Sequence, residues 1–190
     1  MTTHSTNKEV IESWGKDGYL ETWDGYAKNY SQEIFGFVKK QLGENKDKEV
    51  LEIGSGAGFW TEFLRCNSKK VTCLDIFEKP AQINNEIEWI VQNDRQFNCK
   101  QIESASKDFV FCFGVFCHFS VEDWAQYVKD VKRVLKDNGS AILMFGDTDK
   151  NPAAGFPLNN FKTTIGKIEE IGFKYESLLE YRDTLLLLKK

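Results

Sequence analysis

Histidine, methionine and proline are scarce in this chain of 190 residues, at two, two and three copies, and its five cysteines form no Cys-x-x-Cys pair. An odd cysteine count without that spacing favours free, buried thiols of a reducing cytoplasm at Cys66, Cys73, Cys99, Cys112 and Cys117 over a disulfide or zinc framework. No apolar run approaches the ~20 residues that a membrane helix needs; the longest is Phe109 to Phe119. Met1 to Glu9 is polar, so no signal peptide is expected. Neither charge sign dominates: 25 basic residues stand against 29 acidic ones, and the lysine pairs are scattered. No basic stripe offers itself to nucleic acid. The expectation is a cytoplasmic chain with neither a membrane nor a nucleic acid as partner.

What is present is a core-forming composition, 41% hydrophobic and 28% charged, which excludes intrinsic disorder. The length fits one domain. Aromatic residues make up 14% of the chain, 15 of them Phe.

A helical pattern runs from about Leu20 to Leu42, with Trp23, Tyr26, Ala27, Tyr30, Ile34, Phe37 and Val38 at i, i+3, i+4 and i+7 spacing, and Gly43 stops it. From there strands and helices alternate. Val50–Ile53 is a strand, followed by a glycine loop and a helix from about Phe59 to Cys66. Val71–Asp75 is the second strand, with a helix expected after Pro80, and Ile87–Val91 is the third. Asp108–Phe113 is continuously apolar after its first residue, as expected of a strand covered on both faces. Ser120-x-x-Asp123 has capping-box spacing for a helix that Asn138-Gly139 ends, and Ala141–Phe145 is the fifth strand. A helix from Phe161 to Ile171 closes at Gly172. Phe173–Leu179 and Thr184–Leu188 then form an antiparallel hairpin, since no helix separates them. The alternation predicts an α/β fold with a doubly wound, mostly parallel, seven-stranded sheet.

The sharpest motif is Glu52-Ile53-Gly54-Ser55-Gly56-Ala57-Gly58, where a strand feeds a glycine turn that opens a helix. Such glycines let the backbone turn tightly and approach a ligand. The dinucleotide fingerprint needs Gly where Phe59 stands, and no Gly-Lys-Ser/Thr follows to make a phosphate loop. A second acid, Asp75, ends the next strand, 21 residues beyond Gly54. A carboxylate there can accept hydrogen bonds from ribose hydroxyls.

With these residues in that order the chain resembles the class I S-adenosylmethionine-dependent methyltransferases, of the type acting on small molecules. Glu52–Gly58 is similar to the family's first motif and Asp75 to its ribose-binding acid. Asn93-Asp94 is similar to the pair that contacts the adenine amino group, and Ser106-Lys107-Asp108-Phe109-Val110 to its entry into strand four. Arg133–Gly139 resembles a further segment, with Asp137-Asn138 in place of Pro-Gly. The resemblance implies a Rossmann-like domain over residues 46–190 with a helical N-terminal cap at 1–45. It implies S-adenosyl-L-methionine as cofactor and S-adenosyl-L-homocysteine as product. Tyr30, Glu52, Gly54, Ser55, Gly56, Gly58, Asp75, Ile76, Asn93, Asp94 and Phe113 are the implied cofactor contacts. Trp23-Asp24-x-Tyr26-Ala27-x-x-Tyr30 looks like a segment that lids the cofactor, with Tyr30 near its methionine end; the same spacing also suits plain core packing.

No metal is implied. For the acceptor, His118 follows strand four and either deprotonates a hydroxyl or packs beside the helix that starts at Ser120. Gly114 stands where many members of the family carry Asp. Asp147 follows strand five and is expected in a solvated turn. The expected reaction is methyl transfer to a small polar acceptor, most simply O-methylation of a metabolite or sugar-like hydroxyl. N-methylation, methylation of a protein side chain and a non-catalytic cofactor-binding partner are the alternatives. Both monomer and homodimer are open.

Overall fold

The computed structural model describes residues 32–92, 98–151, 159–180 and 183–190. Residues 32–42 form helix α1, which ends at Gly43 with φ +74°. Seven strands follow: β1 (Glu49–Ile53), β2 (Lys70–Asp75), β3 (Glu88–Val91), β4 (Lys107–Cys112), β5 (Leu135–Phe145), β6 (Lys174–Glu180) and β7 (Thr184–Lys189). Helix α2 (Phe59–Asn67) links β1 to β2, α3 (Val121–Val134) links β4 to β5, and α4 (Phe161–Ile171) precedes β6. The strands lie in one sheet in the order β3-β2-β1-β4-β5-β7-β6. β1 to β5 pair in parallel, and β7 inserts antiparallel between β5 and β6. The doubly wound expectation and the terminal hairpin both hold. The order reverses between β1 and β4, so their carboxyl ends open a crevice, the place where open α/β sheets bind ligands.

Both faces of the sheet are covered because the inner stretches of its central strands are apolar on both sides, as in Phe109–Cys112 of β4. On β4, Phe109 and Phe111 pack toward α1 and α2 with Ile34, Val38, Trp60 and Leu64. Val110 and Cys112 face α3 and α4 with Val128, Val131 and Ile168. The Ser120 cap is as read from the sequence: its Oγ accepts from Asp123 N at 3.2 Å and donates to the Asp123 carboxylate at 3.0 Å. Cys73, Cys99, Cys112 and Cys117 are buried free thiols, whereas Cys66 is exposed on the last turn of α2.

Two local expectations fail. No helix follows Pro80; Ile83 N bonds to Pro80 O and Ile87 N to Asn84 O, while Asn84 Oδ1 accepts from Glu86 N at 2.8 Å. That side-chain bond offers the backbone a turn in place of a helix, and the turns bury Ile83 and Ile87. Helix α3 also stops at Val134 rather than at Asn138. The carbonyls of Arg133 and Val134 accept from Ala105 N and Ser106 N, at 3.0 and 2.9 Å, and the chain enters β5 at once. Asn138-Gly139 thus lies within β5, where the pairing slips from Lys107↔Leu135 to Phe109↔Ser140. A Cβ on Gly139 would stand 2.9 Å from Lys136 O.

Replacing Ser120 with Ala removes the α3 cap, and equilibrium urea unfolding is expected to show a loss of about 1 kcal/mol. An unchanged midpoint would mean that the tertiary contacts of α3 hold it without the cap.

Candidate functional site

The glycine loop occupies the crevice between β1 and β4. Gly54 N donates to Leu74 O at 2.8 Å, one residue past the β1–β2 ladder, and Gly58 N returns to Ser55 O at 2.8 Å to close the turn. Gly54, Gly56 and Gly58 have φ of +73°, +51° and +88°, a region that costs other residues about 1–2 kcal/mol. Space forbids a side chain as well. A Cβ on Gly54 would lie 2.1 Å from Val115 Cγ2, and one on Gly58 1.9 Å from Ile83 Cδ1. The loop is therefore pinned between the segment after β4 and the segment after β2. Gly58 then caps α2.

Two carboxyls support this loop. Asp75, only 5% exposed, accepts from Gly56 N at 2.7 Å through Oδ2 and from Phe77 N at 2.9 Å through Oδ1. Burial pushes its pKa up, and the hydrogen bonds from the Gly56, Phe77 and Ile76 amides oppose that shift. Glu52 lies beneath the loop on the α2 side. It accepts from Thr61 Oγ1 at 2.6 Å and from Cys73 Sγ at 3.5 Å. Burial raises its pKa from an ordinary 4.5 to about 7, against hydrogen bonds from Thr61, Ser55 and Cys73, and the negative charge of Asp75 adds to the rise. Between them, Glu52–Gly58 and Asp75–Phe77 contain no Lys or Arg.

The half-buried side chains of Ile76 and Phe77 follow Asp75, with Trp89 Nε1 donating to Phe77 O at 2.9 Å. Phe113, also half-buried, stacks on Phe111 and lies 5.4 Å from the Trp60 ring. Past Gly114 (φ +78°) and Val115, a 3-10 turn at Phe116–His118 carries His118, half-buried, on the same edge of the sheet as the glycine loop. Tyr30, Asn93 and Asp94, together with the Trp23–Tyr30 segment, lie outside the described residues.

Asp147 departs from expectation. It is 1% exposed, not in a solvated turn. Thr184 Oγ1 donates to its Oδ2 at 3.2 Å, Lys150 pairs with the same oxygen at 3.3 Å, and Asp149 N donates to Oδ1 at 3.2 Å. Its burial follows from β7 pairing directly with β5, which the local sequence does not reveal.

Sequence reasoning missed three residues near the crevice. Val115 fills the space that Gly54 leaves. Gln92 donates its N–H to Asp75 O at 2.7 Å and accepts from Tyr127 OH at 3.0 Å. Asn159, fully buried, donates through Nδ2 to Phe119 O at 3.0 Å. The one signal among them is the position of Gln92, one residue before Asn93.

A groove of about 580 Å³, lined by Gln41, Asp108, Lys136, Asn138 and Lys190 among others, opens at the opposite edge, where β4 begins. That is the wrong end of the strands for a doubly wound site, and the 2.8 Å Lys136–Asp108 ion pair occupies part of its wall. Among the described residues no helix is long and apolar enough to cross a membrane, and no cluster of three or more His, Cys, Asp or Glu is placed to hold a metal.

Glu52 makes folding pH-dependent. Its pKa is higher in the folded chain than in the unfolded one, so the folded form keeps a proton that the unfolded form releases. The stability is whole below pH 4.5 and is lost as pH rises toward 7 and beyond. Urea unfolding of the wild type is expected to lose about 2.5 kcal/mol between pH 5 and pH 8 from this group, and Glu52→Gln to abolish that loss. Equal pH dependence in both proteins would remove Glu52 as the cause.

Comparison with known proteins bears on this geometry. Residues 51–143 match the family model described as a methyltransferase domain. A probable S-adenosylmethionine-dependent methyltransferase of Mycobacterium tuberculosis is 27% identical over 128 residues, covering 65% of this chain and 45% of its own length. A ubiquinone biosynthesis O-methyltransferase of Rickettsia bellii is 24% identical over 156 residues, covering 73% and 62%. The chain thus spans about half to two-thirds of the length of these relatives. The solved DhpI–SAH complex superposes with a TM-score of 0.73 over 99% of this chain and 98% of that one, at 15% identity, which is a likeness of fold.

Proposed function

We propose that this chain, which residues 51–143 make a member of the class I S-adenosylmethionine-dependent methyltransferases, methylates a small polar acceptor, most simply at a hydroxyl oxygen. One observation carries the reading: a glycine loop forced into left-handed geometry at the switch point of the sheet and tied through Gly56 N to the Asp75 carboxylate.

The residues fit the cofactor. The cradle at Gly54 and Gly58 has no room for a Cβ, so only backbone can line it. The site carries two carboxyls and no cationic side chain in Glu52–Gly58 or Asp75–Phe77. That set puts no positive charge against a sulfonium or an ammonium group, and Phe59 stands where a dinucleotide loop needs its third glycine. S-adenosylmethionine, when bound, supplies a methyl group already activated on sulfur.

The rest falls to the chain. Asp75 holds the ribose hydroxyls with lone pairs that its two amide donors leave open. The loop backbone receives the methionine part, with Tyr30 near its end. Ile76 and Phe113 wall the adenine, and Asn93 and Asp94 take its amino group. Glu52 supports the loop from below through Thr61. His118 would take the hydroxyl proton onto an imidazole nitrogen while the acceptor oxygen takes the methyl group, the electron pair of the broken methyl–sulfur bond staying with the donor. A base is needed because an alcohol is a poor nucleophile, and positioned proton transfer contributes about 10²–10⁴-fold. The likeness to an O-methyltransferase of Rickettsia bellii supports an oxygen acceptor.

Calorimetric titration with S-adenosylmethionine is expected to show one site, weakened at least about tenfold in Asp75→Ala, the loss of one or two hydrogen bonds to a charged group. No binding in the wild type would sink the reading. With a hydroxyl acceptor identified by mass spectrometry from a metabolite panel, His118→Ala is expected to lower kcat about 100-fold or more. Undiminished turnover of that hydroxyl acceptor would remove the base role.

A further inference from the structure

The turn that carries His118 is closed by main-chain hydrogen bonds. His118 N donates to Val115 O at 3.0 Å and Phe119 N to Phe116 O at 3.3 Å, both within the turn. On one side Val115 abuts Gly54 of the glycine loop. On the other, Phe119 O accepts from Asn159 Nδ2 at 3.0 Å. Asn159 is itself gripped. Its main-chain oxygen accepts from both the N–H and the Oγ1 of Thr148, each at 2.7 Å. Thr148 follows Asp147, whose carboxylate is locked to Thr184 at the start of β7 and to Lys150. The next residue, Asn160, caps α4 through Thr163 N at 2.9 Å. One side-chain amide thus joins the end of β5, the start of β7 and the start of α4 to the residue after His118.

We propose that Asn159 is the positioning residue for His118: its amide fixes where the turn Phe116–His118 stands over the glycine loop. This rests on the methyl-transfer reading above for its functional meaning, though not for its geometry. The donor bond to Phe119 O fixes which way the amide points. The other end, Asn159 Oδ1, is consequently buried with no hydrogen-bond partner among the described residues. A buried carbonyl left unpaired costs at least as much as one neutral hydrogen bond contributes. Asn159 therefore adds little net stability, and what its amide determines is geometry. Geometry is what an alignment-controlled displacement requires, since a misplacement of about 1 Å is enough to lower such a rate about 100-fold.

The test uses imidazole signals, since the chain has only His4 and His118. In ¹⁵N-labelled full-length protein, loss of a signal in His118→Ala assigns the His118 ring and leaves His4 as an internal reference. Asn159→Ala is expected to shift the His118 ring signals and leave those of His4 in place, with the cooperative urea transition kept. Thr148→Val, which removes one of the two bonds on the Asn159 oxygen, is expected to shift the same signals less and in the same direction. A folded Asn159→Ala variant with unmoved His118 signals would overturn the proposal. If that variant does not fold, unmoved signals in Thr148→Val overturn it. Calorimetry with S-adenosylmethionine on the same samples judges the cofactor reading separately. Affinity is expected to be unchanged in both variants, and a parallel loss of affinity and of the His118 position would make Asn159 a support of the whole site rather than of the base.

Discussion

The hydrogen bond from Gly56 N to the Asp75 carboxylate ties the loop after β1 to the end of β2, and much of the site depends on it. It holds a loop whose three glycines have φ between +51° and +88°, and it holds the acid that ends β2 in a buried position. Each partner needs the other. A buried carboxylate without donors would lose its charge, and a left-handed loop without an anchor would have no reason to keep its shape. The bond also explains why β1 and β2 must be parallel and in register, since Ile53↔Leu74 pairing brings Gly54 N to Leu74 O and sets Asp75 beside the loop.

Packing carries this arrangement outward in both directions. Val115 sits against Gly54, so the segment after β4 rests on the loop, and Ile83 sits against Gly58, so the turns after β2 do the same. The aromatic excess is divided by these contacts. Phe111, Phe113, Trp60 and Phe35 form a ring cluster on the α2 side. Phe116, Phe119, Tyr127 and Phe145 form another under the His118 turn. Tyr127 reaches from that second cluster to Gln92, and Gln92 to the main chain of Asp75. The Asp75 side and the His118 side of the crevice are thereby continuous.

Strand positions were legible because an apolar run buried on both faces, such as Phe109 to Cys112, has few other ways to be satisfied. The glycine loop was legible for a related reason: only glycine tolerates both the positive φ and the missing space, so its spacing survives as a pattern. The helix expected after Pro80 and the late end of α3 were misread where a bond from a distant segment or a side chain replaced the intrahelical one. Ala105 and Ser106 take the last carbonyls of α3 from 28 residues away in sequence, and no local window contains that. Asp147 shows the same limit, since its acid character suggests solvent until β7 is known to lie against β5.

The sequence by itself determined the alternation of strands and helices, the closing hairpin, the glycine turn after β1 and the acid at the end of β2, because each follows from local periodicity, chirality or sterics. Tertiary structure decided the rest. It placed Glu52 beneath the loop rather than in it, buried Asp147, and brought Val115, Gln92 and Asn159 to the crevice. Those outcomes depend on which strands become neighbours and which side chains then lose water. Side chains from Ile34 to Leu188 meet in two shared cores, and desolvation and hydrogen-bond partners are properties of that meeting, not of any segment of the chain.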